Sequence, residues 1–353
     1  MSGGVDSSVA AALLLEAGHD VVGVTMRLWE GEAEGTCCSV AEIDDARRVA
    51  QQLGIDHWVF RFTDDFETSV VQPYAAAHAS GLTPNPCIEC NRHVKFDRLL
   101  RRATQLGFDA VATGHHARIR RDGDGHRLLR GADAAKDQSY VLYVLGQREL
   151  ARCLFPVGEI TKTEVRARAA ALGLRTADKA DSVEVCFVTA SGGRRELLRS
   201  RVGLRAGQVV ESSGEVVGHV DATELVTVGQ RRGLGTGGGA RRYALSVDPS
   251  AGTVVVGDLA DLMTDVVELT SVTWVGRPAG GAVAAQCSAH GAPVQATIVG
   301  SPVQATIAGS PAQAQATLAG PTVRFAEPHR RVAPGQSVVL YRGDEVLGGG
   351  IAV

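Results

Sequence analysis

The residues that follow Met1 have the composition of a loop that binds phosphate groups. They read Ser2-Gly3-Gly4-Val5-Asp6-Ser7-Ser8. Two glycines let the backbone approach an anion, and the amides and positive dipole end of a following helix favour a bound pyrophosphate. No Gly-Lys-Ser/Thr sequence follows, so the loop is not of the Walker type and does not indicate transfer of a γ-phosphate. A simple helix N-cap, with Asp6 complementing the dipole, is the alternative interpretation.

Cysteines form the second group of residues that could take part in catalysis or bind a metal. Their odd number, seven, and their scatter along the chain are unlike a secreted disulfide framework and favour a reducing compartment. Cys87 and Cys90 have Cys-x-x-Cys spacing, but a structural zinc site takes four ligands and no second closely spaced pair follows. Four cysteines lie outside the motifs described below, and we assign them no role: Cys37, Cys38, Cys153 and Cys287.

Composition limits the class of protein and its partners. A chain of 353 residues with 44% hydrophobic and 21% charged residues predicts two or three packed domains. The net charge of −3 excludes a polybasic nucleic-acid binder and leaves local basic patches as the means of gripping a nucleic acid. Arginines are clustered in three places: Arg92, Arg98, Arg101 and Arg102; Arg194, Arg195, Arg199 and Arg201; and Arg231 and Arg232. Without a signal peptide or an apolar run of about 20 residues, we predict a cytoplasmic protein with no membrane partner.

Hydrophobic patterning predicts an α/β domain followed by β-rich units. Helical segments ending at glycines alternate with short apolar strands, which is typical of a Rossmann-like parallel sheet with helices on both faces. The predicted helices are 5–17, 40–53 and 91–106, and the predicted strands are 20–26, 57–60 and 109–113. After residue 205, short valine-rich runs separated by glycines predict small sheets and barrels.

Three domains follow from this pattern. We predict a catalytic α/β domain over 1–200, a small β-rich central domain over 201–258 and a C-terminal β-barrel over 259–353. The barrel contains a repeat near 292–320, in which APVQATIVG is followed by SPVQATIAG and a degraded third copy. Its alternating pattern predicts strands, and three short copies indicate duplication of one strand rather than a solenoid; a new binding loop is the alternative.

Several motifs together resemble one enzyme family. Ser2–Ser8 resembles the signature of the N-type ATP pyrophosphatases, and the remaining motifs occur in the order seen in the tRNA-specific 2-thiouridylases. They are Gly23–Met26, Thr83–Asn91, Lys95-Phe96, Thr113–His115, Lys136–Tyr140, Asp181-Ser182, Cys186-Phe187, Gly229–Gly235 and Leu347–Gly350.

The resemblance implies a reaction and its residues. ATP, with Mg²⁺, adenylates the 2-oxygen of the wobble uridine and releases pyrophosphate, after which a cysteine persulfide supplies sulfur. Cys186 would carry the persulfide, and Cys90 would later form a disulfide with it. The nucleotide would be bound by Ser2, Gly3, Gly4, Val5, Asp6, Ser7, Ser8, Met26 and Gly114. The target base would lie near Asn85, Pro86 and Cys87, and the tRNA would contact Lys136, Asp137 and Gln138. The expected partners are the Lys, Glu and Gln tRNAs and a cysteine desulfurase or sulfur-relay protein.

The sequence departs from the family pattern in three places. Cys87 stands where many members have Asp, so a 4Fe–4S cluster on Cys87, Cys90 and Cys186 is an alternative to the cysteine persulfide. An Arg-Tyr-type tRNA contact in the barrel is replaced by Cys287–His290. Met1 directly precedes Ser2, where the fold would have its first strand. We therefore predict that the start codon was assigned too late, and that ATP binding is impaired if the short chain is the real one.

Two other functions remain open at the level of sequence. The chain could be a different ATP pyrophosphatase that adenylates a small molecule, or a degenerate, non-catalytic tRNA-binding member of the family. The paired Cys90 and Cys186 and the β-rich C-terminal region favour the thiouridylase.

Overall fold

The chain forms two compact units. The computed structural model describes residues 1–29, 40–181, 185–237, 241–300 and 320–353. Unit 1 consists of 1–71, 86–194 and 344–346, and unit 2 of 72–85, 195–343 and 347–353. The three-domain boundaries expected from sequence stay a prediction. Among the described residues, no helix has the length and apolar character needed to cross a membrane.

Unit 1 has the α/β architecture that the sequence predicts. Helices Val5–Glu16 and Val40–Leu53 lie where they were predicted and are followed by glycines in the left-handed region, Gly18 at φ +82° and Gly54 at φ +71°. The other helical segments are Thr63–Phe66, Glu67–Val71, Pro86–Glu89, Cys90–Arg98, Leu99–Gln105, Ser139–Leu142, Gln147–Leu150, Pro156–Glu159, Lys162–Ala171 and Cys186–Ala190. Cys90–Arg98 is a π-helix, a geometry that is often found at functional sites.

The strands of unit 1 pair mainly in parallel. Gly23–Arg27 pairs with His57–Arg61, and Val111–Ala112 pairs with Cys153–Leu154, both in parallel. These pairs confirm parallel pairing, but they form two separate two-stranded sheets, and the third predicted strand is only two residues long. Strands Ala117–Asp122 and Gly125–Arg130 form an antiparallel hairpin beside Glu345.

One apolar cluster joins the three helices that carry the chemistry of unit 1. Val5, Val9 and Ala10 pack with Val49 and with Val165 and Ala169, so helices Val5–Glu16, Val40–Leu53 and Lys162–Ala171 share a core. Each fully buried valine of this cluster contributes about 1.5–3 kcal/mol to folding. The polar residues at the helix starts are therefore held on a rigid base.

Unit 2 is β-rich, as predicted. Its smaller sheet has the strand order Val216–Val220, Gly207–Glu211, Thr253–Gly257, Tyr243–Asp248. Six further strands close into a barrel, because the last strand pairs with the first: Met263–Trp274, Thr322–Arg330, Val294–Val299, Gly281–Gln286, Ser337–Arg342 and Glu345–Ala352. Short helices Gln72–Ala79 and Thr223–Leu225 belong to this unit, and helix Arg194–Val202 begins at the division between the units.

The first copy of the sequence repeat forms the barrel strand Val294–Val299. Its buried residues alternate with exposed ones, as a strand with one buried face requires. The later copies, over 301–319, lie outside the described residues.

Candidate active site

The backbone of the glycine loop, Ser2–Ser8, needs a glycine at position 3. Gly3 has φ +74°, and a Cβ there would lie 2.5 Å from the backbone oxygen of Glu42. Gly4 is the N-cap of helix Val5–Glu16, and its carbonyl accepts hydrogen bonds from the Ser7 hydroxyl at 3.1 Å and the Ser8 hydroxyl at 2.9 Å. The Ser2 amide donates to Ser7 Oγ at 3.1 Å. The loop is thus held in shape by its own serines, at the positive end of a helix.

Gly114 lies directly against this loop. A Cβ on Gly114 would be 2.7 Å from both the carbonyl carbon of Asp6 and the amide nitrogen of Ser7. Gly114 follows strand Val111–Ala112, so the end of this strand brings its backbone to the loop. The structure therefore brings Gly114 together with Ser2–Ser8, as the resemblance implies.

Gly114→Ala is expected to weaken binding of an ATP analogue by about tenfold, because the new methyl group must push the loop backbone aside. The matched control is Gly123→Ala, since a Cβ at Gly123 meets nothing within 4 Å and the glycine does not have a left-handed backbone. Isothermal titration of both variants with a non-hydrolysable analogue measures the effect. Equal affinities in the two variants would show that this contact does not shape the nucleotide site.

Lys162 places its ammonium group on Asp6. Lys162 Nζ lies 2.7 Å from each carboxylate oxygen of Asp6, and the lysine side chain is only 10% exposed. Burial alone would raise the pKa of Asp6, but hydrogen bonds from His116 and Lys162 and the charge of Lys162 lower it. Asp6 is therefore an anion with a buried cation beside the glycine loop.

The local sequence explains the position of Lys162. It is the first residue of helix Lys162–Ala171, whose N-cap is Thr161. The Thr161 amide donates to Glu164 Oε2 at 2.7 Å and the Glu164 amide donates to Thr161 Oγ1 at 3.3 Å, which is a capping box. The Lys162 amide also donates to Asp133 at 3.0 Å. The backbone beneath the ammonium group is therefore fixed.

Asp181 forms ion pairs with three cationic side chains. Its Oδ1 accepts from Lys162 at 2.9 Å and from Arg166 at 3.0 Å, and its Oδ2 accepts from Lys136 at 2.8 Å. Burial alone would raise the pKa of Asp181, but hydrogen bonds and charge from Lys136 and Lys162 lower it to about 2. Asp6 and Asp181 therefore form one ion-pair network with Lys136, Lys162 and Arg166 beside the loop.

Lys179 holds the other side of the loop. Its ammonium group donates to the Gly3 carbonyl at 3.0 Å and contacts Glu42 at 2.8 Å and Asp45 at 2.9 Å. Burial would lower the pKa of Lys179, but its bonds to the two carboxylates raise it. The residue links the loop to helix Val40–Leu53 and remains charged at neutral pH.

Two buried histidines follow Gly114. His116 Nε2 bonds Asp6 Oδ1 at 3.1 Å, and its Nδ1 is buried without a hydrogen-bond partner among the described residues. Burial, with nearby Lys95 and His116, holds the pKa of His115 well below its usual range, so His115 is neutral. Its Nδ1 lies 2.7 Å from the Thr113 hydroxyl.

The residues predicted to touch tRNA differ in how they are used. Lys136 is 43% exposed and bonds Asp181. Asp137 accepts from the Gly131 and Ser139 amides at 3.0 Å each and pairs with Arg130 at 2.7 Å. Gln138 Oε1 accepts from the His116 amide at 2.9 Å. Asp137 and Gln138 therefore shape the backbone next to the loop, and Lys136 is the exposed cation of the three.

The two helices that begin at the predicted sulfur-handling cysteines each contact the same short helix, Thr63–Phe66. Buried Cys90 begins π-helix Cys90–Arg98, which is joined to helix Thr63–Phe66 by the 3.0 Å bond from Arg98 to Asp65. Half-buried Cys186 begins helix Cys186–Ala190, and its neighbour Phe187 packs edge-to-face on Phe66 at 5.5 Å. The fold thus brings segments 96 residues apart in sequence to one neighbourhood.

The remaining predicted site residues lie on other elements. Met26 is half-buried in strand Gly23–Arg27, Pro86 is buried and Cys87 exposed in helix Pro86–Glu89, and Asn85 ends the 72–85 segment of unit 2. Cys37, Cys38 and Ser182 lie outside the described residues. Burial raises the pKa of Cys153 and of Cys287 to about 12, so neither is a thiolate at neutral pH.

The described residues do not fit a protein-held metal. Within the described ranges, no group of three or more His, Cys, Asp or Glu side chains is arranged to hold a metal ion. Both oxygens of Asp6 are engaged by Lys162. The alternative iron–sulfur cluster finds no donor set among these residues. Mg²⁺ takes most of its ligands from phosphate oxygens and water, so it stays a prediction, and we assign no step of the reaction to either group.

Sequence reasoning missed Lys162, Lys179, Asp181 and His116 as site residues. Two signals were available in the sequence. The chain has only four lysines, Lys95, Lys136, Lys162 and Lys179, and three of them lie in this network. Thr161-Lys162-Thr163-Glu164 also has the pattern of a capping box, which fixes a helix start at Lys162.

Comparison with known proteins gives consistent matches along the chain. A family model described as "tRNA methyl transferase HUP domain" matches residues 1–190, a "tRNA methyl transferase PRC-barrel domain" matches 195–258 and an "Aminomethyltransferase beta-barrel domain" matches 267–352. These models confirm the predicted fold classes in their predicted order.

Similar curated proteins carry one name, "tRNA-specific 2-thiouridylase MnmA". The protein from Geobacter metallireducens is 46% identical over 366 residues, covering 99% of this chain and 94% of its own. Those from Roseiflexus sp. and Chloroflexus aurantiacus are 45% and 46% identical, again over 99% of this chain, and over 97% and 96% of their own length.

Proposed function

Since the chain belongs to the tRNA-specific 2-thiouridylase family, we propose that it uses ATP to replace the 2-oxygen of the tRNA wobble uridine by sulfur from a cysteine persulfide. Family membership makes it a tRNA sulfurtransferase. One observation carries the proposal for the use of ATP: the ammonium group of Lys162 lies 2.7 Å from both oxygens of Asp6, beside a glycine loop at a helix start.

In the first half-reaction, the uridine 2-oxygen attacks the α-phosphorus of ATP. An oxygen–phosphorus bond forms, the bond between the α-phosphorus and the bridging oxygen breaks, and pyrophosphate leaves with the electron pair. The negative charge that grows on the leaving group is best stabilised by fixed cations and amides. The glycine loop and Lys162 supply these groups, with Met26 and Gly114 at the borders of the nucleotide site.

In the second half-reaction, the terminal sulfur of a Cys186 persulfide attacks C2 of the adenylated base. A carbon–sulfur bond forms and AMP leaves with the former 2-oxygen. Cys90, as a thiolate, then attacks Sγ of Cys186; the sulfur–sulfur bond breaks, 2-thiouridine is released, and a Cys90–Cys186 disulfide remains. A thiol reductant must supply two electrons to restore both cysteines, and a desulfurase or sulfur-relay protein must reload Cys186.

The tRNA is bound through local basic groups, since the chain as a whole has a charge of −3. We propose Lys136 as a phosphate contact and Asn85, Pro86 and Cys87 as neighbours of the target base. Asp137 and Gln138 would act on the tRNA through the backbone that they hold. The Lys, Glu and Gln tRNAs are the proposed substrates, and the reducing cytoplasm is the compartment that suits this thiol chemistry.

The reaction is tested with purified protein, unmodified tRNA transcript, ATP, a persulfide donor and a thiol reductant. We expect one AMP and one pyrophosphate for each 2-thiouridine found by nucleoside mass spectrometry. AMP formation that needs a small molecule instead of tRNA would support a different ATP pyrophosphatase. Binding of tRNA without AMP formation would indicate a non-catalytic member of the family.

A further inference from the structure

We propose that Asp181 is a positioning residue that fixes two lysines with different tasks, Lys162 beside the phosphate loop and Lys136 at the exposed rim of the same network. The inference rests on the proposed function, because one lysine would serve the nucleotide and the other the tRNA. According to this inference, binding of both ATP and tRNA depends on Asp181.

The two oxygens of Asp181 are divided between the lysines. Oδ1 faces Lys162 at 2.9 Å and Oδ2 faces Lys136 at 2.8 Å. Arg166 also binds the carboxylate, donating to Oδ1 at 3.0 Å. The same guanidinium group donates to the carbonyls of Ala177 and Lys179 at 2.7 and 3.0 Å. Asp181 is therefore anchored to the chain that precedes it, and each lysine has an oxygen to bind.

The two lysines differ in exposure. Lys162 is 10% exposed and reaches Asp6 in the glycine loop, whereas Lys136 is 43% exposed. An exposed ammonium group at the rim of a site is available to the backbone phosphates of a large polyanion, whereas a buried one can act only on a group that enters the loop beside it. The chemistry of the outer partner is therefore that of a nucleic-acid backbone.

Fixing a lysine in advance reduces the cost of binding. A lysine side chain loses rotamer entropy when it is immobilised. The backbones are already joined, because the Asp133 carboxylate accepts from the Lys162 amide at 3.0 Å and the Asp133 carbonyl accepts from the Lys136 amide at 3.1 Å. What Asp181 adds is the direction of the two ammonium groups, which raises affinity through preorganisation.

A purely stabilising role does not account for this arrangement. The ion pair with exposed Lys136 contributes little to folding, and buried Lys162 keeps its contacts with Asp6 if Asp181 is replaced. The consequence of losing Asp181 falls mainly on the two substrates.

A double-mutant cycle tests the inference, with KM for ATP and KM for tRNA as separate readouts. Asp181→Asn is expected to raise both KM values by about fivefold to tenfold, and Lys136→Gln to raise only the tRNA value. In the double variant, the tRNA KM should equal that of Lys136→Gln, while the ATP KM should equal that of Asp181→Asn. Asp181→Glu should restore part of both losses.

Asp344→Asn is the matched control. It removes the same charge from the same unit, where Asp344 pairs with Arg118 at 3.0 Å, and it should leave both KM values unchanged. Additive effects of Asp181→Asn and Lys136→Gln on the tRNA KM, or an unchanged ATP KM in Asp181→Asn, would overturn this inference alone if the wild-type protein forms 2-thiouridine. A wild-type protein that makes no 2-thiouridine would overturn the proposed function and this inference together.

Discussion

Replacing Lys162 by methionine is expected to lower kcat/KM for ATP by about a thousandfold, the largest effect of any single change near the glycine loop. Methionine fills nearly the same volume, so the apolar contacts of the side chain remain. What is lost is the cation that contacts both oxygens of Asp6 and one of Asp181. Charge on departing pyrophosphate would then develop beside two carboxylates without this compensation.

The effect of Lys162→Met has a definite electrostatic cause. In the native chain, bonds from Lys162 help to lower the pKa of Asp6 and to lower that of Asp181 to about 2. Without the ammonium group, both carboxylates repel the triphosphate, so we expect weaker binding of the analogue as well as slower chemistry. Lys162→Arg should recover only a small part, because a planar guanidinium cannot reproduce the compact contact with Asp6.

The effect of Lys162→Met on kcat/KM for ATP is measured from the rate of pyrophosphate release with tRNA present. The control is Arg118→Met, which removes a cation that bonds Asp344 and the Arg130 carbonyl at the hairpin of the same unit. Thermal unfolding of both variants tests whether the fold is retained. A loss in Lys162→Met smaller than about tenfold, in a protein that unfolds at the wild-type temperature, would remove Lys162 from the proposed mechanism.

The elements of unit 1 were predictable because their signals are local. The Ala- and Leu-rich segment starting at Val5 favours a helix by propensity, and glycines after both first helices mark their ends. The glycine loop was also predictable, since its residues are contiguous. Val111–Ala112 was predicted too long, because its pairing with Cys153–Leu154 covers only two residues, and no local pattern reveals a partner about 40 positions away.

The ion-pair network was not predictable in the same way. Asp6, Lys136, Lys162 and Asp181 come from four separate segments, and only the packing of helices Val5–Glu16 and Lys162–Ala171 on one core brings Asp6 and Lys162 together. Exposed acidic and basic residues occur throughout the chain, so charge alone does not single these out. The scarcity of lysine was the one global feature that distinguished Lys136 and Lys162.

The second large effect is expected at the cysteines. Cys186→Ser should abolish 2-thiouridine, with a loss of at least about a thousandfold, because serine cannot carry a sulfane sulfur. Adenylation does not need this sulfur, so pyrophosphate should still appear, up to about one equivalent per enzyme molecule, and then stop. Cys90→Ser should stop the reaction one step later and leave tRNA attached to Cys186 through a disulfide.

These two variants are distinguished by quenching single turnovers and running the products on gels with and without reductant. A reducible tRNA–protein band is expected for Cys90→Ser and not for Cys186→Ser. Cys287→Ser is the control, because the Cys287 thiol, with burial raising its pKa to about 12, is inert. If Cys186→Ser still forms 2-thiouridine at more than a hundredth of the wild-type rate, the persulfide is carried elsewhere, and exposed Cys87 becomes the next residue to replace. The order of these outcomes follows from the chemistry. Without Cys186 the adenylated base has no sulfur nucleophile, and without Cys90 no thiolate cleaves the disulfide between Cys186 and the tRNA.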